Sequence, residues 1–265
     1  QSRNLLFLAA SVAVLAACGA EEISSPGSGG NISITNNTPA PPPPPPPPVS
    51  TLVTPAAGCP TIDDSAGLTD LGTISGPTGT YRNCGLPSRI TRSSKLTKIP
   101  GLLYSLPGRV DVGTDLGATG GSGVTLTIDP GVVIFGATGV SWLAVNRGNR
   151  ISAVGTATQP IVFTSRDNVL GLATDDSQGQ WGGVVLLGRA PITDCTVAPN
   201  APPGSATCER QTEGATDPAY YGGATPTDNS GTMKYVQIRY SGYVLSGNSE
   251  LQALTTGGVG SGTVL

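Results

Sequence analysis

Short β-forming runs, most of them bounded by Gly, Asn or Pro, recur along the chain from Leu126 onward, and this recurrence limits the fold more than any other feature. Leu126-Thr127-Ile128-Asp129-Pro130-Gly131-Val132-Val133-Ile134-Phe135 places two apolar strands around an Asp-Pro-Gly turn. Further runs are Trp142 to Val145, Ile151 to Val154, Ile161 to Thr164, Val184 to Leu187, Tyr235 to Tyr240 and Leu251 to Thr255. None is followed by apolar residues at helical spacing. Composition agrees: 38 glycines, 24 prolines and only 12 % charged residues describe a β-protein rich in tight turns. Short strands alone would also suit a sandwich or a barrel. Two features favour a solenoid. Connectors such as Arg147-Gly148-Asn149-Arg150 are not repeated two-residue hairpin loops. Apolar triplets also return after roughly 17 to 25 residues, a suitable length for one coil. The expected fold is all-β, a parallel β-helix.

In such a coil, inward side chains stack along the axis and outward ones alternate with them. Val133, Leu143, Val145, Val162, Val185, Val236 and Ile238 are the expected stacked core positions. Residues 121–265 form the expected β-helix domain. The last coil shows no polar cap, so further coils are expected beyond Leu265. Residues 58–120, with Pro100 and Pro107 interrupting the apolar stretches, are expected to cap the solenoid with short strands and turns.

The N-terminus carries Arg3, an apolar run from Leu5 to Val14, and then Leu15-Ala16-Ala17-Cys18. A basic residue, a short apolar segment and small residues before a cut describe a secretory signal peptide. Leu5 to Ala17 is too short for a membrane span, which needs roughly 20 residues. The Leu-Ala-Ala-Cys string resembles the bacterial lipobox. That resemblance implies cleavage after Ala17, a diacylglyceryl thioether on Cys18 and acylation of the new amino group. Residues 1–17 are then signal peptide and 18–57 a disordered Gly/Ser/Pro-rich tether. Within it, Pro41 to Pro48 is unbroken proline, a polyproline II rod of about 25 Å.

With 14 Lys and Arg against 17 Asp and Glu, the net charge of −3 points away from nucleic acid as a partner. The sequence has no histidine, which excludes Ser-His-Asp and Cys-His mechanisms and His-based zinc sites within it. Five cysteines remain to be placed. With Cys18 lipidated, the others fall into local pairs, Cys59 with Cys84 and Cys195 with Cys208. An exported protein meets oxidising conditions, so these are expected to be structural disulfides.

Several segments carry a wider resemblance. They are Leu126 to Ile134, Arg150-Ile-Ser-Ala-Val-Gly-Thr-Ala-Thr-Gln-Pro-Ile-Val-Phe-Thr-Ser, Trp181-Gly-Gly-Val-Val-Leu-Leu-Gly, Asn229 to Gly242 and Leu254 to Thr263. They resemble the right-handed β-helix surface lipoproteins of Gram-negative bacteria over about residues 120–265. The resemblance implies a right-handed coil and an envelope location, and fold alone assigns no activity.

The longest interval between strands, Gly188 to Thr232, holds most candidate chemistry, as long insertions often do. Glu213, Asp217, Asp228 and Asn229 could supply oxygen ligands to Ca²⁺. Trp181, Tyr220 and Tyr221 could form a sugar-stacking platform. A surface flap with no ligand is the third reading. Asp175 and Asp176 are adjacent acids in a turn-like stretch and are the candidate carboxylates for polysaccharide cleavage. Gly257-Gly258-Val259-Gly260-Ser261-Gly262 lacks the Lys-Ser/Thr ending of a phosphate loop and reads as a strand-end turn.

Together these features predict a non-enzymatic, lipid-anchored envelope protein of a Gram-negative outer membrane, without a required cofactor. Its β-helix would present a face to glycans or neighbouring envelope proteins. The alternative is a polysaccharide-degrading lyase or hydrolase that uses surface carboxylates and, in one version, calcium.

Overall fold

The computed structural model describes residues 52–247 and 249–265. The signal peptide, Cys18 and nearly all of the expected tether lie outside those residues. Among the described residues the regular secondary structure is almost entirely strand, wound into a parallel β-helix with three strands per coil.

Thr69–Gly76 (β1) and Gly79–Gly85 (β2) form an antiparallel hairpin. The first coil runs through β2, Arg89–Ile90 (β3) and Ser94–Leu96 (β4). The second is Leu102–Leu106 (β5), Arg109–Val112 (β6) and Thr125–Ile128 (β7). The third is Val133–Gly136 (β8), Trp142–Val145 (β9) and Arg150–Val154 (β10). Ile161–Ser165 (β11) opens the fourth, followed by the one-turn helix Arg166–Leu170 (α1) and then Gly183–Leu187 (β12). An insertion with Arg210–Gln211 (β13) and Tyr220–Tyr221 (β14) precedes the closing strand Gly231–Lys234 (β15). The fifth coil has Val236–Ile238 (β16), a small hairpin of Val244–Ser246 (β17) and Ser249–Glu250 (β18), then Leu254–Gly257 (β19).

Three sheets result. Sheet A has the order β1-β2-β5-β8-β11-β16, sheet B β19-β12-β9-β6-β3 and sheet C β15-β10-β7-β4. Every pairing within them is parallel except β1 with β2. Parallel in-register stacking puts like positions above one another. Cys84, Tyr104, Ile134, Phe163 and Ile238 form one inward column on sheet A. Val110, Leu143, Val184 and Leu254 form another on sheet B, and Leu96, Ile128, Ala153 and Met233 a third on sheet C. These side chains make one continuous core. A single coil could not bury its own face, so stability comes from the stacking.

The solenoid begins earlier than the expected boundary at 121. The first coil and the first two strands of the second, β2 to β6, lie inside the segment expected as a cap, and only the stretch before β2 is left for capping. Asp64 holds that stretch to the first coil: its carboxylate accepts from the Thr91 and Arg92 amides at 2.5 and 3.0 Å. The expected core needs correction on three residues. Leu143 and Val145 point inward, and Val236 and Ile238 pack against the core from partly buried positions. Val133 and Val162 face outward on sheet A, and Val185 outward on sheet B, because their neighbours Ile134, Phe163 and Val184 take the inner positions. Both faces of these strands are apolar, so alternation alone could not assign the sides.

Both expected disulfides are present, Cys59–Cys84 and Cys195–Cys208. The first ties the cap to β2, and the second closes a loop inside the insertion.

Candidate functional site

The outer face of sheet A carries a groove. Its floor is a row of aliphatic side chains from successive coils, Leu103, Val133 and Val162, whose strands lie side by side in register. The turn of the β1–β2 hairpin arches over this face. Ile74 packs with Leu103 and Phe135 beneath it, and Tyr81 and Val169 flank them. The hairpin tip meets α1, whose N-terminus is capped by Ser165 accepting from the Asn168 amide and whose C-terminus stops at Gly171 with φ 75°. The cavity under this strap measures about 340 Å³ and also meets Thr164, Asn168 and Arg239. A second cavity of about 310 Å³ shares Tyr81, Leu103 and Val133 with it and extends to Lys98 and Gly131. Among the described residues no acid lines either one.

Sheet B presents a different surface. The insertion lies over its outer face, where Ala219 and Tyr221 pack on Trp142, Ala144, Val185 and Leu187. One buried cation holds it down. Arg147 is 2 % exposed; it donates to both Asp115 oxygens at 2.8 and 2.6 Å, to Glu209 and to the Gly222 carbonyl. Burial disfavours its charge, but the bonds to Asp115 and Glu209 more than offset this and raise its pKa above the usual guanidinium value. Nearby, Arg109 lies 4.6 Å over the Trp142 ring and donates to the carbonyls of Asp217 and Pro218. Asp111 accepts from Arg89, Arg109 and Asn146. These acids are engaged in holding the insertion and its floor.

The residues singled out from sequence scatter across the fold. Trp181 is fully buried: it stacks on Phe163 with centroids 6.4 Å apart, and its indole N–H donates to the Arg239 carbonyl. It cannot serve as a surface sugar platform. Tyr220 and Tyr221 form a short strand in the insertion, and the Tyr221 ring lies against Gly257. Burial raises the Tyr221 phenol pKa, with the charges of Asp194 and Glu213 adding to this and Arg210 opposing it. The candidate calcium ligands do not assemble. Glu213 pairs with Arg210 at 3.0 Å, Asp228 is buried close to Gly188 and Ser230, and Asn229 Oδ1 accepts from the Gly231 amide. Asp217 contributes a backbone carbonyl to Arg109. No three acidic side chains converge among the described residues. Asp175 and Asp176 lie together in an exposed turn between α1 and β12.

Sequence reasoning missed the groove. Its signal was available in the strands that are apolar on both sides, since an apolar outer face needs a cover. The hairpin that supplies the cover lies in the segment expected to cap the solenoid with short strands and turns.

Comparison with curated proteins and with solved structures gave no match. The family model described as a pectate-lyase like beta helix domain matches residues 98–265, more than half of the chain and all but the first coil of the solenoid. By this match and by its three parallel sheets, the chain belongs to the pectate-lyase-like β-helix domain family.

Proposed function

We propose that this protein is a lipid-anchored envelope protein whose β-helix binds a ligand through the strapped groove on sheet A. The observation that carries the reading is the groove itself: an aliphatic floor spanning three coils, roofed by the hairpin and bordered by Lys98 and Arg239. Ligand sites are concave, mostly apolar and edged by a few polar groups. Carboxylate-based glycoside cleavage requires two acids facing one bond, and no described acid lines the groove. The anchor rests on the Leu15-Ala16-Ala17-Cys18 string, and attachment through several acyl chains would be stable where one is marginal.

Two measurements test the proposal. Cys18→Ala should abolish metabolic labelling by clickable palmitate, and persistent labelling would refute the anchor. Ligand capture by the solenoid should be lost in Val162→Trp, which fills the groove from its floor; capture that survives this change would remove the groove from the account.

A second reading is favoured by the family description, which refers to pectate lyases, and by the pairing of Asp175 with Asp176 in one exposed turn. In that reading the chain cleaves polysaccharides. Release of reducing ends or unsaturated products that disappears in the Asp175→Ala/Asp176→Ala double variant would establish it over simple binding.

A further inference from the structure

The groove has an asymmetry that a purely structural role does not require. Its middle is hydrocarbon, whereas Thr164, Asn168 and Arg239 gather at one end. Thr164 is 1 % exposed, yet its hydroxyl has no hydrogen-bond partner. Buried hydroxyls are nearly always paired. Arg239, just past the end of β16, donates to Gln237 and has no acidic partner among the described residues. One end of the cavity therefore offers an unsatisfied hydroxyl, an amide and an unneutralised guanidinium, whereas the hydroxyls elsewhere in its lining, on Thr78 and Tyr81, are bonded to each other and the floor is aliphatic.

We propose that this groove binds a single-chain anionic amphiphile, an alkyl carboxylate. Its chain would lie along Leu103, Val133 and Val162, and its carboxylate would meet Thr164, Asn168 and Arg239. The proposal rests on the groove-binding reading above and names the ligand class for it. Charge and shape both favour this occupant. A carboxylate is stabilised by a guanidinium and hydroxyl donors, and no described acid lines the cavity to repel it. A saccharide stacks on aromatic faces, and among the residues lining this cavity Tyr81 alone is aromatic, its hydroxyl already bonded to Thr78, while Trp181 is in the core and Trp142 lies beneath Arg109. An extended peptide would need a free strand edge, and the floor strands β5, β8 and β11 are each paired on both sides. At about 340 Å³ the cavity lies within the roughly 300 to 1,000 Å³ typical of small-molecule sites.

The test is calorimetric titration of the chain from Gly19, which lacks the lipidated cysteine but keeps every described residue, with octanoate, decanoate, laurate and the neutral dodecanol. Affinity should rise roughly two- to fourfold per added methylene until the groove is filled. Arg239→Gln should weaken laurate by roughly tenfold while leaving dodecanol nearly unchanged. Val162→Trp should abolish both, with an unaltered circular dichroism spectrum showing that the fold persists. Laurate binding that ignores chain length, or that survives both substitutions, overturns the proposal. If laurate fails to bind but a linear glycan binds and is lost in Val162→Trp, the amphiphile assignment falls and the groove-binding reading stands. If neither ligand binds, both fall.

Discussion

Gly76 in the hairpin strap is packed directly on the carbonyl of Val169 in α1: a β-carbon built on Gly76 would lie 1.9 Å from that oxygen. The contact is reciprocated two residues beyond Val169, where Gly171, at φ 75°, would bring a β-carbon to 2.2 Å from Pro77 Cγ. Two glycines thus allow a hairpin from the start of the solenoid to rest on a helix inserted in its fourth coil. Gly76→Ala should lift the strap. The expected cost is about 1 to 3 kcal/mol, the usual range for overpacking, read from denaturant unfolding. Amide exchange across Ile74 to Tyr81 should accelerate as well. Unchanged stability together with unchanged protection would show that this contact does not hold the strap.

Arg147 should control the insertion without controlling the solenoid. Removing one partner of a buried charge cluster leaves the others uncompensated, at about 3 kcal/mol or more. Because Asp115 and Glu209 are each about one quarter exposed, water relieves part of that, so about 2 kcal/mol is expected for Arg147→Met. The insertion would lose its tie to the 113–124 loop, and limited proteolysis should cut first between Gly188 and Ser230. Cleavage beginning instead within the coils would contradict this assignment.

How far the fold is legible in the sequence depends on the strand. Trp142 to Val145 can be read to the residue, because an apolar run bounded by Ser141 and Asn146 has few other uses. The β-helix itself follows from coil-length recurrence. The first coil does not, since β3 and β4 have only two and three residues and carry no periodicity. The inward register fails at Val133, Val162 and Val185 for another reason: the hairpin and the insertion cover the outer faces, so both sides of those strands are apolar. Trp181 escapes sequence reasoning because its burial depends on a remote glycine. A β-carbon on Gly136 would stand 2.5 Å from Trp181 Cβ, and no local pattern links the two. The disulfides are readable once Cys18 is set aside, because the four remaining cysteines then fall into two sequence-local pairs. The polar cluster of Thr164, Asn168 and Arg239 is not, because only the coil brings Arg239 beside residues on β11 and α1.

Asp64 should mark the acid limit of the cap. Burial opposes its ionisation, but bonds from Ala66, Thr91 and Arg92 outweigh this and hold its pKa below the ordinary 3.8. A carboxylate depressed on folding stabilises above its unfolded pKa, and that contribution is lost as pH falls through the folded value. Stability measured from pH 6 downward should therefore drop below about pH 4. Asp64→Asn should cost about 1 to 3 kcal/mol at neutral pH by leaving buried donors unpaired, and should flatten that acid limb. An identical acid limb in the variant would mean that other carboxylates carry it.

Tyr104 sets the corresponding alkaline limit in the core. Its ring is 1 % exposed in the inward column of sheet A, and its hydroxyl donates to the Thr97 carbonyl at 2.8 Å. Burial, with the negative charge of Asp129 adding to it, pushes the phenol up to about 12. For an acid whose folded pKa is raised, the stabilisation is complete below the unfolded value near 10 and is lost as pH climbs to the folded one. Across that whole window the loss amounts to about 2 kcal/mol. Tyr104→Phe should lose about 1 kcal/mol at pH 8 through the missing hydrogen bond, yet unfold with a shallower pH dependence between 10 and 12. The two stability curves should meet inside that range. The difference in tyrosinate absorbance between the two proteins isolates this phenol from the other tyrosines. A midpoint near 10 in that difference spectrum would show that the ring is open to water and that the sheet A column is not sealed at this coil.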